Sequence, residues 1–199
     1  MKAKIGLTLA ALALIVGGII TFRQLWRQEP VTPFENIPAA ITAQTVYSLP
    51  ASKPKQIKIS SIKVDAPVIN VDLNKDNSLE VPKTYSDVGW YDRSPTPGEV
   101  GPAVMVGHLD SAISAAVFYK LKDIKANDHI EITREDGSKA IFKVDSLEVF
   151  SQDSFPSDKV YGNVNYPGLR LITCAGKYNI LEKHYSQNLV VYASLVKTN

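Results

Sequence analysis

The chain has 199 residues, of which 45% are hydrophobic and 21% are charged, so it has enough apolar material for a globular domain and is not disordered throughout. Its net charge of +2, from 22 Lys and Arg against 20 Asp and Glu, gives no basic field of the kind with which nucleic-acid-binding proteins neutralise phosphates. We therefore expect no nucleic-acid partner.

The N-terminus contains an uncharged apolar run at residues 5–22, preceded by two lysines and followed by Arg23 and Arg27. The run is about as long as a helix needs to cross the hydrocarbon core of a bilayer. No small-residue cleavage site follows it, which favours an uncleaved anchor over a signal peptide. The lysines favour a cytoplasmic N-terminus, so residues 1–28 are predicted to be a cytoplasmic stub and transmembrane anchor.

Residues 29–54 change composition to Pro, Thr, Ala, Ser and Gln. Five prolines are spread through the segment and interrupt any regular element. The sequence predicts an extracellular linker over 29–54 and a folded domain over 55–199.

Within that domain, short runs rich in Val, Ile, Tyr and Phe recur between turn residues, as strands do. The predicted strands are 56–59, 66–71, 103–108, 129–134, 140–149, 169–174 and 189–195. One short helix is predicted over 115–124 from the spacing of Val117, Leu121 and Ile124. Many short strands with few helices indicate a mainly β fold, either a closed barrel or a sandwich.

Cys174 is the only cysteine of the chain and ends the strand-like apolar run at 169–174. A single cysteine cannot form an intramolecular disulfide. Such a residue is either an inert buried side chain or a nucleophile that needs a base beside it.

Three histidines are candidates for that base. His108 lies where a buried strand opens into a loop, which is where catalytic groups are commonly displayed. His129 at a strand start and His184 in a polar turn fit solvated positions better. His108 is therefore the predicted base, although a histidine at a strand end often has only a structural role.

Side chains alternate along a strand, so Arg170, Ile172 and Cys174 are expected to share one face of 169–174. An arginine beside a thiol could hold a carbonyl oxygen as negative charge builds on it. The alternative for Arg170 is a structural ion pair, because an unpaired buried arginine is costly.

Three segments carry a family resemblance: Gly-His-Leu-Asp at 107–110, Leu-Ile-Thr-Cys-Ala-Gly at 171–176 and Asn-Leu-Val-Val-Tyr-Ala at 188–193. In order and spacing they resemble the bacterial sortases of the His, Cys, Arg type over about residues 56–196. Further segments resemble the class F branch in particular, and they lie at 88–91, 97–98, 101–104, 116–121, 155–156 and 160–162.

The resemblance implies a closed eight-stranded β-barrel with one or two short helices, behind the N-terminal transmembrane helix. It implies a cysteine transpeptidase, a type of thiol protease, on the outer side of the cell membrane of a Gram-positive type bacterium. Such an enzyme cleaves a Leu-Pro-x-Thr-Gly-like signal through a thioester on Cys174, with His108 as acid and base. The implied partners are surface proteins with a C-terminal sorting signal and a cell-wall precursor amine, and no cofactor is implied.

One departure from the family pattern concerns the third catalytic residue. In the best-known members it is an arginine on the last strand, but residues 182–195 contain none. Arg170 is the candidate by the class F pattern Arg-Leu-x-Thr-Cys, and Asn188 is the alternative hydrogen-bond donor. Thr173 and Ile172 are expected to shape the peptide groove.

Two other kinds of protein remain open at this point. One is another Cys/His cell-wall enzyme, such as an L,D-transpeptidase or an NlpC/P60-type peptidase, although the order of His108 and Cys174 does not favour the latter. The other is a membrane-tethered binding domain without catalysis. The acidic residues form no ordered ligand loop, so no metal site is predicted.

Overall fold

The structure, a computed structural model, describes residues 46–197. The predicted anchor at 1–28 and most of the predicted linker lie outside the described residues. Between residues 46 and 197, no helix has both the length and the apolar character needed to cross a membrane.

Eight strands form a closed barrel with the order β1-β2-β3-β4-β7-β8-β6-β5. Their bounds are β1 Pro54–Ile59, β2 Val64–Val71, β3 Val88–Tyr91, β4 Gly101–Val106, β5 His129–Arg134, β6 Lys139–Ser151, β7 Pro167–Asn179 and β8 His184–Leu195. Residues 46–197 also contain one α-helix, α1, at Ser157–Tyr161, and 3₁₀ turns at Ser60–Ile62, Leu121–Asp123 and Gln152–Ser154. The predicted mainly β, closed eight-stranded barrel with few helices is confirmed.

The barrel interior is the main hydrophobic core. Alternate residues of each strand point inward, as Leu169 and Leu171 of β7 do, and both are fully buried. Trp90, Phe118 and Phe142 supply large aromatic surfaces to the same core.

A second buried cluster lies on the outer face of β4, β7 and β8. It contains Val104, Val160, Ile172, Val190 and Tyr192. Val160 comes from α1, so the connection between β6 and β7 covers this part of the barrel. Since β4 and the first part of β7 are buried on both faces, they are apolar almost without alternation.

The prediction of a helix over 115–124 is wrong, because residues 116–124 form successive tight turns. Their amides bond to carbonyls three residues earlier, as from Tyr119 to Ala116 and from Leu121 to Phe118. The amides of Val117 and Phe118 bond instead to the carbonyls of Tyr85 and His108. These bonds tie the segment to neighbouring loops, and the bonds within it join residues three apart rather than four, so it does not form an α-helix.

The strand β3, Val88–Tyr91, was not among the predicted strands, although its sequence was part of the resemblance. Four residues are too few to show a period of two. It pairs in parallel with β2 and antiparallel with β4, and these backbone hydrogen bonds stabilise it as a strand.

The last residues before β1 pack onto the barrel. The Leu49 amide donates to the Gly98 carbonyl at 2.8 Å, and Leu49 contacts the main core. The buried Arg134 guanidinium donates to the carbonyl of Pro50. The segment from Leu49 to β1 is thus part of the folded unit.

Candidate active site

The parallel pairing of β4 with β7 brings His108 to Cys174. Val106 pairs with Ile172, and the Gly107 amide donates to the Ile172 carbonyl at 3.1 Å. His108 follows the end of β4 by two residues and lines the same cavity as Cys174 of β7. The pairing of β4 with β7 therefore brings towards each other two residues that lie 66 positions apart in sequence.

On the other side of β7, the antiparallel strand β8 places Asn188 directly opposite Cys174. The Gln152 side-chain amide lies 3.5 Å from Asn188 Oδ1 and is oriented to donate to it. With its oxygen engaged in this way, Asn188 has its NH₂ group left to donate. Cys174 is thus flanked by an imidazole on one side and an amide donor on the other.

All three side chains lie on the outer face of the barrel. Ile172 and Val190, two residues away from Cys174 and Asn188, belong to the outer cluster, and strand alternation places Cys174 and Asn188 on the same face. Together with His108 they line a cavity of about 660 Å³, to which Ile172 and Thr173 also contribute.

The walls of this cavity are mostly apolar. Leu73, Leu79 and Val81 come from the connection between β2 and β3, and Phe155 and Tyr161 come from the connection between β6 and β7. Such a cavity suits an extended peptide with an apolar side chain, held beside a few polar groups.

Contacts with Pro82 and Tyr85 hold the His108 ring in place. Nε2 lies 2.7 Å from the Pro82 carbonyl oxygen, which can only accept, so Nε2 carries a proton. The Tyr85 ring packs against the imidazole with centroids 4.8 Å apart. In the neutral ring Nδ1 is then the nitrogen that can accept a proton.

The surroundings of Cys174 disfavour its thiolate. Burial of the sulfur raises the pKa of Cys174 above its ordinary value, and the nearby Asp110 carboxylate raises it further. Asp110 accepts a hydrogen bond of 2.5 Å from the Tyr185 hydroxyl. The same bond raises the pKa of Tyr185 to about 12.

Arg170 is not brought together with this group. Its guanidinium donates to the Leu169 carbonyl at 3.1 Å and to the Tyr166 hydroxyl at 3.4 Å, and it lies 4.7 Å from the Tyr192 ring centroid. These contacts point towards the start of β7, whereas Cys174 lies about 13 Å further along the strand. Arg170 shares the face of Cys174, as predicted, but does not line the cavity, and its catalytic role stays a prediction.

A sequence model of the sortase domain matches residues 57–196, which is more than half of the chain. The chain belongs to the sortase family. A search of curated proteins found no significant match.

Solved sortases share this fold. Sortase A from Corynebacterium diphtheriae superposes with a TM-score of 0.58 at 24% identity, over 75% of this chain and 63% of that chain. Sortase C1 of Streptococcus agalactiae, in complex with MTSET, has a TM-score of 0.54 at 23% identity, over 72% and 67%. Sortase C-1 from Actinomyces oris has a TM-score of 0.55 at 22% identity, over 72% and 73%. The chain thus spans less than two thirds of the Corynebacterium protein, and these likenesses show the fold.

Membership of the sortase family separates the chain from the L,D-transpeptidases and NlpC/P60 peptidases.

Elsewhere in the sortase domain, His129 and His184 are exposed, and His184 lies 3.0 Å from the Glu182 carboxylate. Among residues 46–197, no group of three or more His, Cys, Asp or Glu side chains is arranged to hold a metal ion.

Several residues around the sortase site were not singled out from the sequence. Asp110 and Tyr185 lie near the thiol, Pro82 and Tyr85 hold His108, and Gln152 contacts Asn188. Only Asp110 had a sequence signal, because it belongs to the Gly-His-Leu-Asp segment at 107–110. The others come from distant loops or strands, and local sequence does not show what they touch.

Proposed function

We propose that this sortase is a class F-like cysteine transpeptidase that cleaves a Leu-Pro-x-Thr-Gly-like sorting signal and transfers the surface protein to a cell-wall amine. The observation that carries the proposal is the strand register that sets His108 and Asn188 on the two sides of Cys174 beside a largely apolar cavity. The class F assignment rests on the segments that resemble this branch, at 88–91, 97–98, 101–104, 116–121, 155–156 and 160–162, and on Arg-Leu-Ile-Thr-Cys at 170–174.

In the first half of the reaction, neutral His108 accepts the thiol proton at Nδ1. The sulfur attacks the threonyl carbonyl carbon, a C–S bond forms, and the oxygen becomes negatively charged. When this intermediate collapses, the C–N bond to glycine breaks and His108 returns the proton to the leaving amine. A thioester on Cys174 remains.

In the second half, the acceptor ammonium gives one proton to His108 and its nitrogen attacks the thioester carbonyl. A C–N bond forms, the C–S bond breaks, and the sulfur takes the second proton of the amine. The products are an amide, a thiol and a protonated His108, so the single positive charge of the reactants is kept.

The negative oxygen of both intermediates needs a donor, and we assign Asn188 to it. Its amide lies across from the sulfur and in the same cavity, whereas the Arg170 guanidinium is turned towards Tyr166. Ile172 is placed to contact the peptide from the cavity floor, whereas Thr173 borders the cavity but buries its side chain. Removing one such donor in other enzymes lowers the rate about 10²- to 10³-fold.

The experiment for this function uses the full-length chain in detergent, a library of Leu-Pro-x-Thr-Gly-type peptides and a primary amine. Mass spectrometry is expected to find the acyl group on Cys174 and the peptide joined to the amine. A folded protein that is acylated by no peptide would contradict the proposal and favour a binding domain.

We also propose that residues 1–28 anchor the protein as a single pass, with the catalytic domain outside the cell and 29–54 as the connection. The apolar run at 5–22 and its flanking charges support this placement. Protease added to intact cells is expected to degrade the domain, and deletion of residues 1–28 is expected to remove it from the membrane fraction. A domain that is protected in intact cells and cleaved only after lysis would contradict it.

A further inference from the structure

Asp110 is a carboxylate next to the nucleophile that the reaction above does not use. It lies two residues after His108 and is half-buried. A β-bridge between Asp110 and Ala115 and a hydrogen bond of 3.1 Å from the Ala116 amide to the Leu109 carbonyl hold its backbone. Across residues 46–197 the ion pairs that form do not include Asp110.

Tyr185 holds this carboxylate in place. It lies on the part of β8 that extends past Cys174, and its hydroxyl donates to Asp110 Oδ2 at 2.5 Å. The Tyr178 ring supports Tyr185 from β7, with centroids 5.1 Å apart. Oδ1 accepts no hydrogen bond from the described part of the chain, so one oxygen remains for a ligand.

The charge of Asp110 opposes the first half of the reaction, because it repels the thiolate that must form on Cys174. A cation bound beside Asp110 would offset this repulsion. In the second half of the reaction, a cation must approach the same sulfur, namely the ammonium group of the acceptor.

Asp110 and Tyr185 lie in a position that suits the binding of the second substrate, the acceptor amine. Asp110 and Tyr185 do not line the 660 Å³ cavity that contains His108, Cys174 and Asn188. The Asp110 charge nevertheless acts on the sulfur of Cys174. When the acyl peptide fills the cavity, the side of Asp110 and Tyr185 stays available, and a carboxylate beside two tyrosine rings suits an ammonium group.

We propose that Asp110, held by Tyr185, is the specificity-determining residue for the acceptor and binds the ammonium group of the primary amine that resolves the thioester. This assignment rests on the proposed transpeptidase function. Asp110 forms the ion pair and keeps its own protonation state, while His108 takes the proton as described above. The acceptor class is therefore a cationic primary amine rather than a neutral nucleophile or water.

The test compares the full-length chain with Asp110→Asn, using a sorting-type peptide and two nucleophiles. Glycinamide is largely cationic at neutral pH, whereas hydroxylamine is uncharged. Asp110→Asn is expected to raise the KM for glycinamide about five- to tenfold, in the range of a partly exposed ion pair, and to increase hydrolysis. The KM for hydroxylamine should stay the same, and acylation should be as fast or faster.

Thiol alkylation across pH gives a second readout of the same variant. The titratable groups around the sulfur are His108, Asp110 and Tyr185. Because the Asp110 charge raises the pKa of Cys174, Asp110→Asn should move the alkylation profile to lower pH. Tyr185→Phe, which removes only the hydroxyl and releases the carboxylate, should give a smaller rise in the glycinamide KM. The Tyr185→Phe variant therefore still tests the proposal if Asp110→Asn folds poorly.

Asp123→Asn is the control, because Asp123 is an exposed carboxylate outside the cavity. This substitution should change neither the KM for glycinamide nor the KM for hydroxylamine. An unchanged glycinamide KM in acylated Asp110→Asn would overturn the assignment. An equal rise in KM for both nucleophiles would also overturn the assignment, since Asp110 would then only help to hold the catalytic residues in place. If wild-type protein forms no acyl-enzyme, the proposed function itself fails, and the assignment fails with it.

Discussion

Replacing Cys174 by alanine is expected to abolish both the acyl-enzyme and all peptide cleavage. The chain has no other cysteine, so no second thiol can take over the attack. Loss of the nucleophile in another well-studied enzyme lowers kcat on the order of 10⁶-fold, which here would put turnover below detection. Mass spectrometry of the protein after incubation with peptide and product analysis by chromatography would measure the two effects.

The fold should survive this change. Cys174 is only half-buried and lies outside the main core, so removing its sulfur creates little cavity. Circular dichroism and the thermal unfolding midpoint should therefore match those of the wild type. Cleavage that persists in folded Cys174→Ala would rule out thioester catalysis by this residue.

Replacing Asn188 by alanine is expected to lower kcat/KM for acylation about 10²- to 10³-fold, if its amide stabilises the oxyanion. The KM for peptide should change less than kcat, since the charge on the oxygen develops only in the transition state. Single-turnover formation of the acyl-enzyme measures this step apart from the arrival of the amine.

Arg170→Ala is the matched comparison. Its guanidinium is buried, bonds to Tyr166 and Leu169 and lies over the Tyr192 ring, so its loss should lower the unfolding midpoint. At temperatures where the variant is folded, acylation should fall much less than in Asn188→Ala. The reverse result, with turnover lost only in folded Arg170→Ala, would assign the oxyanion role to Arg170.

The residue patterns alone predicted a mainly β fold and singled out His108 and Cys174, whereas the closed eight-stranded barrel was implied by the family resemblance. Runs of β-branched and aromatic residues with turns between them predict many strands, because side-chain shape and hydrophobic period are local properties. Six of the seven predicted strands lie within observed strands, although 169–174 and 189–195 cover only about half of β7 and β8, and the predicted strand 103–108 begins later than β4 and extends into the loop. Strand alternation also predicted the shared face of Arg170, Ile172 and Cys174.

The tertiary structure decided which groups surround the thiol. The parallel register of β4 and β7 carries His108 to Cys174, and the antiparallel register of β8 sets Asn188 opposite it, because backbone hydrogen bonding between strands is not encoded in either strand alone. The guanidinium of Arg170 turns away because Tyr166 and Tyr192 offer it partners at the other end of the strand. Asp110 and Tyr185 are 75 residues apart and meet only in the folded chain, so the local motif that contains Asp110 does not show its contact with Tyr185.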